Sequence, residues 1–274
     1  MSVAGGPGYC VEMDENRPLA LVTGASSGIG LELARQFAVN GHDLVIAAED
    51  DAVEAVAVEL RTAGATPVQV EAVKADLATS DGVQRLYMAL NTRRVDAAAL
   101  NAGVGRGGAF IDNDLADELR IIDLNVTSTV HLTKLLLRDM VARNQGRLLI
   151  TSSIASTMPG SFQAVYNASK SFLQSFAEAL QDELRDSAVT ITSLMPGPTE
   201  TNFFHRAGMD DTPVGRSDKD DPAEVAKQAF EALMAGKDRV VSESLMTKAQ
   251  ELANKVLPDK LKAATHRKMA EPDQ

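Results

Sequence analysis

Short, mostly apolar runs alternate along this chain with longer stretches whose apolar residues recur every three or four positions. The runs fit strands and the longer stretches fit amphipathic helices. Strands are predicted at Leu19 to Thr23, Asp43 to Ala48, Pro67 to Val73, Val95 to Asn101, Arg147 to Ser152, Val189 to Met195 and Arg239 to Ser242. Helices are predicted from Gly28 to Asn40, Asp51 to Ala63, Ser80 to Thr92, Leu115 to Arg143, Ala164 to Asp186 and Pro222 to Ala235.

Regular alternation of this kind reads as a doubly wound parallel sheet. Leu44-Val-Ile-Ala-Ala48 and Leu148-Leu-Ile-Thr151 are apolar without a break, as strands covered by helices on both faces should be. In such a sheet a ligand binds beyond the carboxyl ends of the strands, so the residues closing each strand become candidates for contact. Residues 197 to 221 interrupt the alternation with prolines, glycines and a charge cluster, which predicts a mobile lid. Residues 1 to 17 form a Gly-rich polar lead expected to be flexible, and residues 270 to 274 form a similar tail. One catalytic domain is expected over residues 18 to 242, followed by a helical extension over 243 to 274.

Composition narrows the function. At 274 residues, 45% of them hydrophobic, the chain can bury the core of one large α/β domain. No apolar run approaches the ~20 residues that span a bilayer, and the start lacks the basic flank and apolar centre of a signal peptide. A soluble, cytoplasmic protein is expected. Cys10 is the only cysteine, which excludes an internal disulfide or a thiolate metal site. His42, His131, His205 and His266 are scattered without ligand spacing, so no metal is expected. A net charge of −11 offers no basic stripe for nucleic acid. Only Lys248 to Lys268 is locally basic, with Leu252, Val256, Leu257 and Leu261 near helical spacing, and it reads as a packed helix rather than a membrane-surface one.

Three motifs carry chemistry. Thr23-Gly-Ala-Ser-Ser-Gly-Ile-Gly30 follows the first strand and opens the first helix, where Gly24 permits a tight turn and Gly28 lets backbone amides approach a pyrophosphate. The Lys and Ser/Thr of a Walker loop are missing, which disfavours a nucleoside triphosphatase. Tyr166-Asn-Ala-Ser-Lys170 sets a phenol and an ammonium on one face of a helix, where the cation is expected to draw the phenol pKa towards neutrality. Ser153 lies thirteen residues upstream of Tyr166.

Together with Asp76-Leu77, Asn101-Ala-Gly103, Asn125 and Pro196-Gly197, these motifs closely resemble the short-chain dehydrogenase/reductase family over residues 18 to 242. The resemblance implies a single Rossmann-type doubly wound α/β domain and an NAD(P)-dependent oxidoreductase that moves a hydride between nicotinamide and a carbonyl or secondary alcohol. It implies Tyr166 as acid/base, Lys170 as the cation that lowers the tyrosine pKa and holds the nicotinamide ribose, and Ser153 as the group polarising the carbonyl. Ser152 is the neighbouring rival, but alternating side-chain direction leaves one productive face, and the spacing to Tyr166 favours Ser153. Asn125 would hold a water linking Lys170 to solvent, or would be a buried structural kink.

For the cofactor, the resemblance implies contacts from Gly24, Ser26, Ser27, Gly28, Ile29 and Gly30, from Glu49, Asp76 and Leu77, and from Asn101, Ala102 and Gly103. Tyr166, Lys170, Pro196, Gly197, Thr199 and Thr201 complete the set. Leu100 departs from the family, which often has asparagine there, and this puts one local hydrogen bond in doubt. Glu49 stands at the family's phosphate-binding arginine position, so NAD is expected over NADP, although Ala48 replaces the aspartate of many NAD-specific members.

A mostly apolar substrate pocket is expected from Ile154, Ala155, Met158, Phe162, Met195, Phe203, Phe204 and Met209 with the loop Gly103 to Gly108, and His205 and Arg206 are expected to face solvent. The resemblance further implies a homodimer or homotetramer through the Leu115 to Arg143 and Ala164 to Asp186 helices. Two alternatives stand beside this reading: a non-catalytic NAD(P)-binding sensor or scaffold, and an epimerase or dehydratase, for which the short C-terminal region leaves little room.

Overall fold

The computed structural model describes residues 17–241 and 258–272. The N-terminal lead before residue 17, the expected strand end at Ser242, the residues from 243 to 257 and the last two positions lie outside the described residues.

Seven parallel strands form one sheet in the order β3-β2-β1-β4-β5-β6-β7. They are β1 Leu19–Thr23, β2 Asp43–Ala48, β3 Val70–Lys74, β4 Val95–Leu100, β5 Gly146–Thr151, β6 Val189–Met195 and β7 Arg239–Val241. The chain winds outward from β1 to β3, returns to pair β4 with β1, and then winds the other way. Helices α1 Gly28–Val39, α2 Ala52–Leu60, α3 Ser80–Ala89, α4 Leu115–Ile121, α5 Ser128–Ala142, α6 Ala164–Glu183 and α9 Pro222–Met234 cover the sheet. The central strands are buried on both faces, which separates two apolar layers. One is centred on Leu33, Phe37, Ile46 and Phe230. The other is centred on Leu21, Leu86, Leu136 and Leu148.

Three departures from the sequence pattern matter for the site. The predicted long helix from Leu115 is three pieces, because a π-helical segment at Ile122–Thr127 separates α4 from α5. Its wide turn is supported by side chains that donate back to the backbone, Ser128 Oγ to the Leu124 carbonyl and Thr129 Oγ1 to the Asn125 carbonyl. The 197–221 segment is organised rather than featureless, with short helices α7 Phe203–Arg206 and α8 Pro213–Arg216. Its two ends are tied by a bridge between Thr199 and Asp220. Finally, the C-terminal helix α10, Asp259–Ala270, packs against α8.

Candidate active site

Most of the side chains singled out in the sequence converge at the carboxyl ends of the strands, along one crevice of about 240 Å³ that runs from Gly24 to Ala270. At one end, β5 runs into Ser152 and Ser153, and a 3-10 turn at Ile154–Thr157 leads round to α6. Alternation along the extended backbone separates the two serines. Ser152 Oγ donates to the Lys170 carbonyl at 3.0 Å, whereas the Ser153 hydroxyl donates to the Pro196 carbonyl at 3.4 Å, accepts from the Ala155 amide at 3.1 Å, and lies close enough to the Tyr166 phenol to favour its ionised form. Ser153, not Ser152, therefore belongs to the phenol.

Tyr166 and Lys170 share a face of α6, with the Lys170 Nζ 5.8 Å from the centre of the Tyr166 ring. The ammonium donates to the Thr151 carbonyl at 2.9 Å and not to the phenol. Burial dominates both groups. It pushes the Tyr166 phenol up to about 12 against the opposing pull of the Ser153 hydrogen bond, and it pulls the Lys170 amine down to about 8. The expected draw of Tyr166 towards neutrality is thus outweighed by desolvation in this arrangement, and the tyrosine stays a protonated donor.

Asn125 is fully buried in the π-helical segment, behind the wall of the crevice. Its Oδ1 accepts from the Val104 amide at 2.9 Å, and its Nδ2 donates to the Val104 carbonyl at 2.9 Å and to Ser169 Oγ at 3.0 Å. The amide clamps the loop after β4 onto α6. Gly103 completes that junction, since a Cβ there would sit 3.2 Å from Asn125 Oδ1 and 3.4 Å from Lys170 Nζ.

The other end of the crevice has the shape a dinucleotide requires. Gly24 and Gly28 both have positive φ, +66° and +58°. A Cβ on Gly28 would lie 2.8 Å from Thr201 Cγ2, and one on Gly24 would lie 2.9 Å from Ala102 Cα. Gly30 lies behind the turn, where a Cβ would collide with the Gly24 carbonyl at 2.1 Å. Ser27 holds the N-cap of α1 without a side-chain cap bond, so the first amides of the helix stay available to an anion. Ser26, Ser27, Ile29, Glu49, Asp76, Leu77, Asn101, Ala102 and Gly103 line this end, and Pro196, Gly197, Thr199 and Thr201 line the crevice opposite. Asn101 is held structurally: its backbone amide and that of Ala102 donate to Thr23 Oγ1, and its Oδ1 accepts from Thr151. Leu100 is buried core.

Two contributions were missed in the sequence. Arg120, on α4, donates to both Asp76 oxygens at 3.2 Å and to Glu49, tying these two lining carboxylates together. From α10, His266, Met269 and Ala270 line the reactive end. Ile154, Ala155, Met158, Phe203 and Phe204 line it as expected, and so does Arg206. Phe162, Met195, Met209 and residues 105–108 do not line it. Phe162 lies under Arg267, and Met209 backs Gly107. His205 is turned outward, paired with Asp210 at 2.7 Å.

A family profile described as short chain dehydrogenase matches residues 18–211. The chain belongs to the short-chain dehydrogenase/reductase family. It is 33% identical over 219 residues to the oxidoreductase UcpA of Salmonella typhimurium, covering 78% of this chain and 79% of that one. Among solved structures it resembles a short-chain dehydrogenase from Sphingobium yanoikuyae in complex with NADPH, at TM-score 0.77 and 27% identity over 88% of this chain and 96% of that one. It also resembles a short chain dehydrogenase/reductase from Burkholderia phymatum in complex with NAD, at TM-score 0.78 and 26% identity, covering 87% of this chain and 93% of that one. As a member of this family, the protein is an NAD(P)-dependent oxidoreductase acting between CH–OH and carbonyl groups on a small molecule. The sensor or scaffold alternative draws no support from these relatives. Among the described residues, no helix is long and apolar enough to cross a membrane.

Proposed function

We propose that this short-chain dehydrogenase/reductase interconverts a largely apolar ketone and its secondary alcohol, with Tyr166 as proton donor and acceptor, Ser153 and Lys170 beside it, and NAD preferred. The observation that carries the reading is the meeting of Ser153, Tyr166 and Lys170 on one crevice whose far end is built from close-packed glycines.

When bound, nicotinamide would supply or accept the hydride. The chain's own residues do the rest. The Ser153 hydroxyl and the Tyr166 phenol both line the crevice, so a carbonyl oxygen placed against them would be bound and polarised by the pair. With the phenol held at about 12, Tyr166 is protonated at neutral pH and ready to donate as the oxygen gains charge. Lys170, next to the Tyr166 ring, offsets the phenolate left behind, and its bond to the Thr151 carbonyl fixes the ammonium at the end of β5. Asn125 acts as a positioning residue, because it fixes Val104 and Ser169 on either side of this group. Phe203 packs against Tyr166 with ring centres 5.1 Å apart and helps keep water from the reacting centre.

NAD is preferred because Glu49 and Asp50 stand at the end of β2, where a 2′-phosphate would meet two carboxylates. Arg120 partly neutralises Glu49, but it is shared with Asp76 and leaves this corner with a carboxylate surplus. Segment 197–221 serves as the lid, carrying Phe203 and Phe204 over the crevice. Assembly into a homodimer or homotetramer fits the exposed apolar residues Leu115, Leu119 and Ile122 near the start of the α4–α5 helical unit and Phe172 on α6. A cytoplasmic setting fits the lack of any spanning helix among the described residues.

A panel of apolar ketones and secondary alcohols, followed by nicotinamide absorbance with NADH, NADPH and their oxidised forms, tests the whole reading. Dinucleotide binding without turnover across the panel would overturn the activity, and a clear NADP preference would overturn the cofactor assignment.

A further inference from the structure

The reactive end of the crevice is largely apolar apart from the catalytic group and the exposed Arg206 at its edge, yet two further polar side chains are buried in its wall. Gln163 is 7% exposed and His266 is 5% exposed, and both line the crevice. Gln163 occupies the N-cap of α6 without capping it, and its side-chain amide has no hydrogen-bond partner among the described residues. His266 Nδ1 lies 2.9 Å from the Ser161 carbonyl, an acceptor that fixes the proton on that nitrogen. Burial holds the ring below its ordinary pKa and so neutral. Nε2 is left as an acceptor with no partner among the described residues. Neither group is sealed off, since neither is among the buried polar atoms that lack both a partner and solvent contact. In so closed a place, the accessible side of each is the crevice.

The two groups are carried by segments fastened to each other. Ser161, which receives His266, is two residues from Gln163, and its own hydroxyl donates to the Ala263 carbonyl of α10 at 3.3 Å. Arg267 covers the Phe162 ring at 5.3 Å. The C-terminal helix is therefore fastened directly to the turn that carries Gln163, beyond the stretch that matches the family profile.

We propose that Gln163 and His266 form a polar subsite, separate from the Ser153–Tyr166 pair, that binds a hydroxyl group carried by the substrate. A hydroxyl can donate to Nε2 and exchange a second hydrogen bond with the amide, whereas a carboxylate could satisfy the Gln163 amide or the exposed Arg206 but would leave Nε2 unpaired. The substrate class is a hydroxylated apolar ketone or the corresponding diol. This inference rests on the ketone/alcohol reading above. It also explains why two desolvated polar groups persist in an apolar wall, since each costs stability until a ligand pairs with it.

The test compares methyl ketones of graded chain length with their ω-hydroxy counterparts, scoring the ratio of kcat/KM for each hydroxylated and plain pair. Wild-type enzyme should favour a hydroxylated member by at least about tenfold at the matching length, as a site with unpaired polar groups does. Gln163→Met keeps the side-chain length without the amide. His266→Asn keeps a donor for the Ser161 carbonyl but lacks Nε2. Each should bring the ratio back towards one, with thermal unfolding confirming that the variants fold. Plain ketones turned over with no preference at any length, or a wild-type ratio that survives in both variants, would overturn the subsite and leave the ketone reading standing. No turnover of either series, with NADH still bound, would overturn both.

Discussion

Arg120 donates to both carboxylate oxygens of Asp76 at 3.2 Å and so ties α4 to the loop after β3, with Glu49, just past β2, on the same guanidinium. The pairing holds the Asp76 carboxyl below its ordinary pKa even though partial burial pushes the other way. Arg120→Gln should release both acids at the adenosine end. We expect KM for NADH to rise about threefold to tenfold, in keeping with a half-exposed ion pair, and KM for NADPH to rise more, because its extra phosphate would face Glu49 uncompensated. Initial rates with each cofactor check this, and an equal change for both would refute the charge argument.

Tyr166→Phe keeps the ring packed on Phe203 but removes the proton. Turnover should fall by about 10²- to 10⁴-fold while the Kd for NADH, read by fluorescence, stays within about twofold. A variant with wild-type kcat would remove Tyr166 from the chemistry.

Lys170 sets an expected pH limb. Its amine is held at about 8, so the ammonium that offsets the phenolate is present below that value and lost as pH rises through it. Reduction should therefore decline above about pH 8. Lys170→Arg retains a cation across that range, and its weaker activity should show no such limb. Rates measured under saturating cofactor in wild type and variant decide the matter.

Gly30→Ala drives a methyl group against the Gly24 carbonyl, with the Asn101 amide 2.6 Å away. Since this obstacle is backbone, relief requires moving the whole turn. A stability loss of about 1–3 kcal/mol is expected, seen as a lower Tm, together with weakened binding of either dinucleotide.

Most of the sheet was legible because an uninterrupted apolar run admits few other readings once both faces are covered. β1, β2 and β6 begin and end where the pattern places them. β3 starts later than predicted. Pro67 has no amide to give, the Val68 amide donates to the Arg61 carbonyl, and Gln69 donates to the Asp43 side chain instead of a ladder. The π-helical turn showed in the sequence only as an alternative reading of Asn125 as a buried kink, because one extra residue per turn barely disturbs the periodicity of a long amphipathic helix. Arg120 and His266 were missed for a different reason. Their partners lie 71 and 105 residues away, and no local spacing signals a contact across the sheet or with a helix beyond it. Ser153, Tyr166 and Lys170 were legible because their types and intervals form a motif. The residues that shape the substrate end have no motif to read.

The split sheet has a practical corollary. The groups around the adenosine end, Gly24 to Gly30, Glu49, Asp76 and Arg120, all precede β5, while Ser153, Tyr166, Phe203 and His266 all follow its first residue. Grafting the portion from Gly146 onward between relatives should thus transplant selectivity for the molecule being oxidised or reduced, with the preference for one dinucleotide staying behind in the recipient half.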